Sequence, residues 1–114
     1  MARLSTHVLD TVHGVPAPGV RLRLERIEAG GPVVVCETAT NADGRTDQPL
    51  MSGEALVTGT YQIVFFVREY FTRRGVASPF LGEVPIRFEI ADAGGHYHVP
   101  LVVTPWSFST YRGS

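Results

Sequence analysis

The chain has 114 residues, with ten basic against eleven acidic side chains and a formal net charge of −1. That length suffices for one domain over residues 1–114 with a core that needs no disulfide or metal, and the near-neutral balance carries no basic footprint for nucleic acid or an anionic membrane surface. No run approaches membrane-spanning length, and the polar opening Arg3-Leu4-Ser5-Thr6-His7 does not read as a signal peptide, so a soluble protein of a reducing compartment, most simply the cytoplasm, is expected.

Residues 4–10 are rich in β-branched and apolar types and predict a first strand, which the turn chemistry of Pro16-Ala17-Pro18-Gly19 follows. Residues 20–25 alternate strictly between apolar and charged side chains, the mark of a strand with one wet face. After Gly30-Gly31-Pro32 a strand is expected over 33–40; Cys36, the single cysteine, sits in this apolar stretch as a small buried hydrophobe rather than a nucleophile. The turn Asn41-Ala42-Asp43-Gly44 leads to Arg45, by default a solvated loop arginine and otherwise a planar clamp for a carbonyl or carboxylate. In 60–67, Val64 and Phe66 oppose Tyr61, Ile63 and Phe65, an apolar second face that predicts cover from another subunit. Residues 68–74, closed by Gly75, predict the one short helix, with Arg73 and Arg74 favourably placed at its C-terminal end. Alternation returns over 84–90, and strands over 96–103 and 108–112 complete an all-β sandwich.

The last two strands carry the chemistry. Tyr97, Val99, Leu101 and Val103 are the apolar parity of their strand, so His96, His98 and Pro100 point away from the core. Pro105 suits the second position of a turn over Thr104 to Ser107, and that turn sets Val103 opposite Phe108, Pro100 opposite Tyr111 and His98 opposite Gly113. Tyr111 and His98 then share the outer face. His96 and His98 have a spacing that chelates zinc, with His7 as a third ligand, but neither Cys nor carboxylate lies close by in sequence, and a solvated strand-edge histidine is the plainer account. His13, beside Gly14, reads as a loop residue. No phosphate-binding glycine loop, nucleophile elbow or paired-carboxylate motif is present.

Three blocks resemble one family: Leu4-Ser5-Thr6-His7-Val8-Leu9-Asp10-Thr11, Thr40-Asn41-Ala42-Asp43-Gly44-Arg45-Thr46-Asp47, and His96-Tyr97-His98-Val99-Pro100-Leu101 with the closing Tyr111-Arg112-Gly113-Ser114. Together with Ser78-Pro79-Phe80-Leu81 and Val84-Pro85-Ile86-Arg87-Phe88 between them, they are similar to the 5-hydroxyisourate hydrolases, the transthyretin-related enzymes of purine catabolism. Phe108 stands where a tyrosine is often seen, and His13 and Trp106 occupy variable positions. The closing Tyr-Arg-Gly-Ser and the two histidines separate these enzymes from transthyretin itself, the hormone carrier. The resemblance implies a transthyretin-like sandwich of two four-stranded sheets, assembled as a homotetramer with sites at the subunit interface and no cofactor or metal. It implies hydrolytic opening of 5-hydroxyisourate between N1 and the C6 carbonyl, with His7, Arg45 and His98 as catalytic residues and Tyr111 and Ser114 completing the substrate pocket. His98 is the expected water activator, His7 its assistant or proton relay, and Arg45 the group that polarises the carbonyl. A non-catalytic carrier and a metal-dependent hydrolase are the competing classes.

Overall fold

The computed structural model describes residues 2–113, which form nine strands and one α-helix. In chain order they are β1 (Arg3–Asp10), β2 (Val15–Pro16), β3 (Arg21–Glu28), β4 (Gly31–Ala39), β5 (Met51–Ser52), β6 (Gly59–Phe66), α1 (Val67–Arg73), β7 (Glu83–Ile90), β8 (His96–Val103) and β9 (Phe108–Thr110). One sheet runs β2-β1-β8-β9 with β5 also on β1, and the other runs β4-β3-β6-β7. The first sheet therefore has five strands rather than the expected four, because two-residue strands cap both ends of β1's free edge. Strands that short carry no alternation to read.

β1 and β8 pair in parallel, Leu4 beside Tyr97 and Val8 beside Leu101, so the apolar parities of both strands fall on the same face. That face meets Leu22, Leu24, Tyr61, Ile63 and Phe65 of the other sheet in one buried core. The opposite parity forms the outer face: Arg3 beside His96, Ser5 beside His98 and His7 beside Pro100. The expected register of β8 and β9 is present, with Val103 opposite Phe108 and an isolated bridge between His98 and Gly113.

The second face of β6 departs from expectation. Val64 and Phe66 are already buried within the chain, at 5% and 8% exposure, and the Arg21 guanidinium lies 3.9 Å over the Phe66 ring while paired with Glu69. An arginine stacked on an aromatic face supplies cover that apolar parity alone does not reveal. α1 buries Val67, Tyr70 and Phe71 against the core and ends at Gly75, whose φ of +74° only glycine adopts without strain. Its Arg73 reaches past the helix end to donate to the Gly19 carbonyl.

One acidic side chain faces the core. Asp10 is fully buried at the end of β1, and it accepts from the backbone N–H groups of Val12 and His13, the His13 ring at 2.6 Å and the Tyr70 hydroxyl at 2.6 Å. Burial alone pushes its pKa up, but those donors outweigh it and hold the carboxyl below its ordinary value. His13 is the loop residue expected, in the turn between β1 and β2, and it is tied down there by Asp10.

Candidate active site

Alternation on β1 places His7 on the outer face, two residues beyond Ser5, and the parallel pairing with β8 brings that face alongside His98. Three segments then close around the pair. The first is the loop that follows β4. Asn41 Oδ1 accepts from the backbone N–H groups of Asp43 and Arg45, and the Asn41 N–H donates to the Arg45 carbonyl at 2.7 Å. At its tip Gly44, with φ +75°, offers its carbonyl to the Val8 N–H at 2.8 Å. A Cβ on Gly44 would lie 2.5 Å from the Val8 carbonyl oxygen, so glycine lets the loop dock against β1 and fixes where Arg45 begins.

The second segment is the tail after β9. The antiparallel ladder would place a hydrogen-bonded pair at Pro100 and Tyr111, but Pro100 has no N–H to give, and its carbonyl is taken by Thr110 Oγ1 at 2.8 Å. The tail leaves the ladder there with Tyr111 60% exposed, and it rejoins where the Gly113 N–H donates to the His98 carbonyl at 2.7 Å. Arg112 fastens the rejoined end through the His96 carbonyl and the Tyr97 ring.

The third segment is the start of β1, which contributes Arg3 and Ser5. A cleft of about 350 Å³ results, lined by Arg3, Ser5, Arg45, His96, Tyr97, His98, Tyr111 and Gly113. Ser5 Oγ lies 2.9 Å from His98 Nδ1. Both site imidazoles titrate below their ordinary value. For His98 the cause is burial first, then the charges of Arg45, His7 and Arg3; for His7 it is burial and Arg45, opposed by the Asp43 backbone and carboxylate. Near neutral pH both rings are therefore uncharged and able to accept a proton.

Among the expected site residues, His98, Arg45 and Tyr111 line this one cleft, and His7 stands on the same outer face within reach of the Arg45 charge. Ser114 lies outside the described residues. Arg3 and Ser5 were not singled out as site residues in the sequence, although they share His7's parity; the missing information was that β8 would pair beside β1. A larger hollow of 680 Å³ beside α1 offers no comparable chemistry: no histidine lines it, Glu69 is held by Arg21, and Arg68 and Arg73 donate to backbone carbonyls. Among the described residues, no three His, Cys, Asp or Glu side chains converge as a metal site would require, and no helix is long and apolar enough to cross a membrane.

Comparison with known proteins adds to this geometry. A model of the HIUase/transthyretin family matches residues 4–113. The chain is 53% identical to the 5-hydroxyisourate hydrolase of Deinococcus radiodurans over 113 residues, covering 97% of this chain and 95% of that one. The 5-hydroxyisourate hydrolase structure from Klebsiella pneumoniae superposes with a TM-score of 0.84 at 36% identity over the whole of both chains. Transthyretin from Sparus aurata superposes at 0.89 with 27% identity, covering 99% and 97%. The shape of this chain is thus close both to a 5-hydroxyisourate hydrolase and to a transthyretin.

Proposed function

The chain belongs to the HIUase/transthyretin family and is an enzyme, and on that premise we propose that it hydrolyses 5-hydroxyisourate to 2-oxo-4-hydroxy-4-carboxy-5-ureidoimidazoline in urate breakdown. The observation that carries this reading is the meeting of an imidazole held neutral, His98, with the Arg45 guanidinium in one cleft, and with His7 on the same face. In the proposed reaction His98 takes a proton from water as the oxygen attacks the C6 carbonyl. Arg45 receives the negative charge that develops on the carbonyl oxygen, where a fixed cation counts most. The N1–C6 bond then breaks with N1 as the leaving group, the proton passes to N1 with His7 as relay, and C6 stays on the opened product as a carboxylic acid that ionises by losing its proton to solvent.

Tyr111 and Ser114 complete the substrate pocket from the tail in this reading, and no cofactor or metal takes part. The working form is a homotetramer with sites at subunit boundaries, and the cytoplasm is its place. An exposed aromatic pair supports the assembly: Phe80 and Trp106 stack at 6.3 Å while 67% and 63% exposed, a large apolar surface for a lone chain to leave in water.

The test generates 5-hydroxyisourate in place from urate and urate oxidase and follows loss of its ultraviolet absorbance, with and without chelator. Rapid, chelator-indifferent decay that His98→Asn slows by about 10² to 10⁴ is expected. Decay no faster than the uncatalysed rate would favour the carrier reading, and loss of activity in chelator would favour a metal-dependent hydrolase.

A further inference from the structure

We propose that Ser5 is a positioning residue that holds His98 in the tautomer with the proton on Nδ1, leaving the Nε2 lone pair facing the cleft. The proposal deepens the hydrolase reading and rests on it for the part that concerns rate. Ser5 and His98 are partners across the parallel β1–β8 pair, and the hydroxyl lies 2.9 Å from Nδ1, so the contact follows from backbone register rather than from a mobile side chain. The opposite edge of the ring is confined as well. A Cβ on Gly113 would come within 2.6 Å of His98 Cδ2, so the tail backbone lies directly against that side and blocks the ring from turning away from Ser5.

A serine hydroxyl can donate or accept, and the surroundings decide between the two arrangements. If Oγ donates to Nδ1, an Nε2–H faces a cleft that already holds the Arg3 and Arg45 guanidinium groups. If Nδ1–H donates to Oγ, a lone pair faces those cations, which is the electrostatically favoured alternative. An unconstrained neutral imidazole prefers its proton on Nε2, so the partner at Nδ1 sets the outcome. Only the second arrangement leaves His98 able to take a proton from water in the cleft.

The experiment uses the full chain labelled with 15N-histidine, whose four histidines give a small set of ring signals, with His98 assigned by its loss in His98→Asn. In the neutral form, His98 Nε2 should show a pyridine-type shift and Nδ1 a pyrrole-type shift. In Ser5→Ala the pattern should reverse or average, while kcat falls by about tenfold to a hundredfold, the range for losing an orienting partner of a functional imidazole, and KM stays nearly unchanged. Ser5→Thr, which keeps the hydroxyl on a strand position that suits it, should restore both the tautomer and the rate. A wild-type His98 with its proton on Nε2 would overturn the proposal, as would a folded Ser5→Ala with wild-type tautomer and kcat, or a folded Ser5→Thr as impaired as Ser5→Ala. Because the tautomer is read without substrate, absence of 5-hydroxyisourate turnover would strike the functional reading and leave the Ser5 assignment to be decided by the spectra.

Discussion

The proposed reaction gives Arg45 a second duty beside its charge on the two imidazoles, and a pH profile distinguishes the two. The groups facing the His98 ring are Arg3, Ser5 and His7 on β1, Arg45 on its loop and Tyr111 on the tail, with His96 nearby on β8 and Asp43 near His7. Burial and the cations hold the folded pKa of His98, and burial and Arg45 that of His7, below the ordinary value of about 6.5, so kcat/KM should stay level through neutral pH and fall only below that value. The same shifts bear on stability. Between the depressed folded value and 6.5 the unfolded chain binds more protons, so stability rises with pH across that window and is level above it. Arg45→Gln removes one of the charges and should move the acid limb up toward pH 6.5 as well as slowing the reaction. Arg45→Lys should leave the limb near its wild-type position yet recover little of the rate, with kcat still down by about tenfold or more, because an ammonium lacks the planar donor fork. Rescue of the full rate by lysine would reduce Arg45 to a diffuse charge.

The tail and the end of β1 make opposite demands on their surroundings. Deleting Tyr111 to Ser114 removes one wall of the cleft and the Gly113 contact with His98, but no core residue, so turnover should be mostly lost while the urea midpoint falls only slightly. Unchanged turnover in a fully assembled truncation would exclude the tail from the site. Tyr70→Phe should do the reverse. It takes a donor from the buried Asp10 carboxylate and should cost about 1–3 kcal/mol in urea unfolding, with little effect on turnover. Asp10 titrates below its ordinary value of about 3.9, so the stability it contributes is complete above that pH and is lost as the pH falls through the depressed folded value. With Tyr70 gone the folded pKa rises toward that ordinary value, so the acid-dependent loss should be smaller and should be complete at a higher pH. These two elements also mark how far the sequence could be read. The β8–β9 register was legible because Pro105 and the apolar pairing of Val103 with Phe108 restrict the turn. The Asp10–His13–Tyr70 cluster and the Ser5–His98 contact were not, since each joins residues whose adjacency depends on packing or pairing of distant elements. The two-residue strands β2 and β5 were invisible for a different reason: they owe their existence to the edge of β1 and carry no pattern of their own.

At the scale of the molecule, β7 and β9 are end strands of their sheets, and the stacked Phe80 and Trp106 lie in the turns leading into them, joined by the Leu81 N–H bond to the Pro105 carbonyl. Light scattering at assay concentration should give a four-chain mass, and Phe80→Asp combined with Trp106→Asp should shift it to smaller species with reduced turnover; a fully active single chain would contradict a shared site. The parallel pairing of β1 with β8 also governs the order in which the molecule can come together during synthesis. The β4-β3-β6-β7 sheet is contained between Arg21 and Ile90 and has all its partners as soon as that stretch has emerged. β1 leaves the ribosome first, yet its long partner follows only at the far end of the chain; the Ser5–His98 bond spans 93 positions. The first strand must therefore wait, its apolar parity uncovered, until the last strands appear, and closing so long a loop is a slow step. A nascent chain stalled before β8 would hold one finished sheet and a first strand still open along its β8 edge and prone to stray pairing there, and it would lack the cleft around His98 altogether.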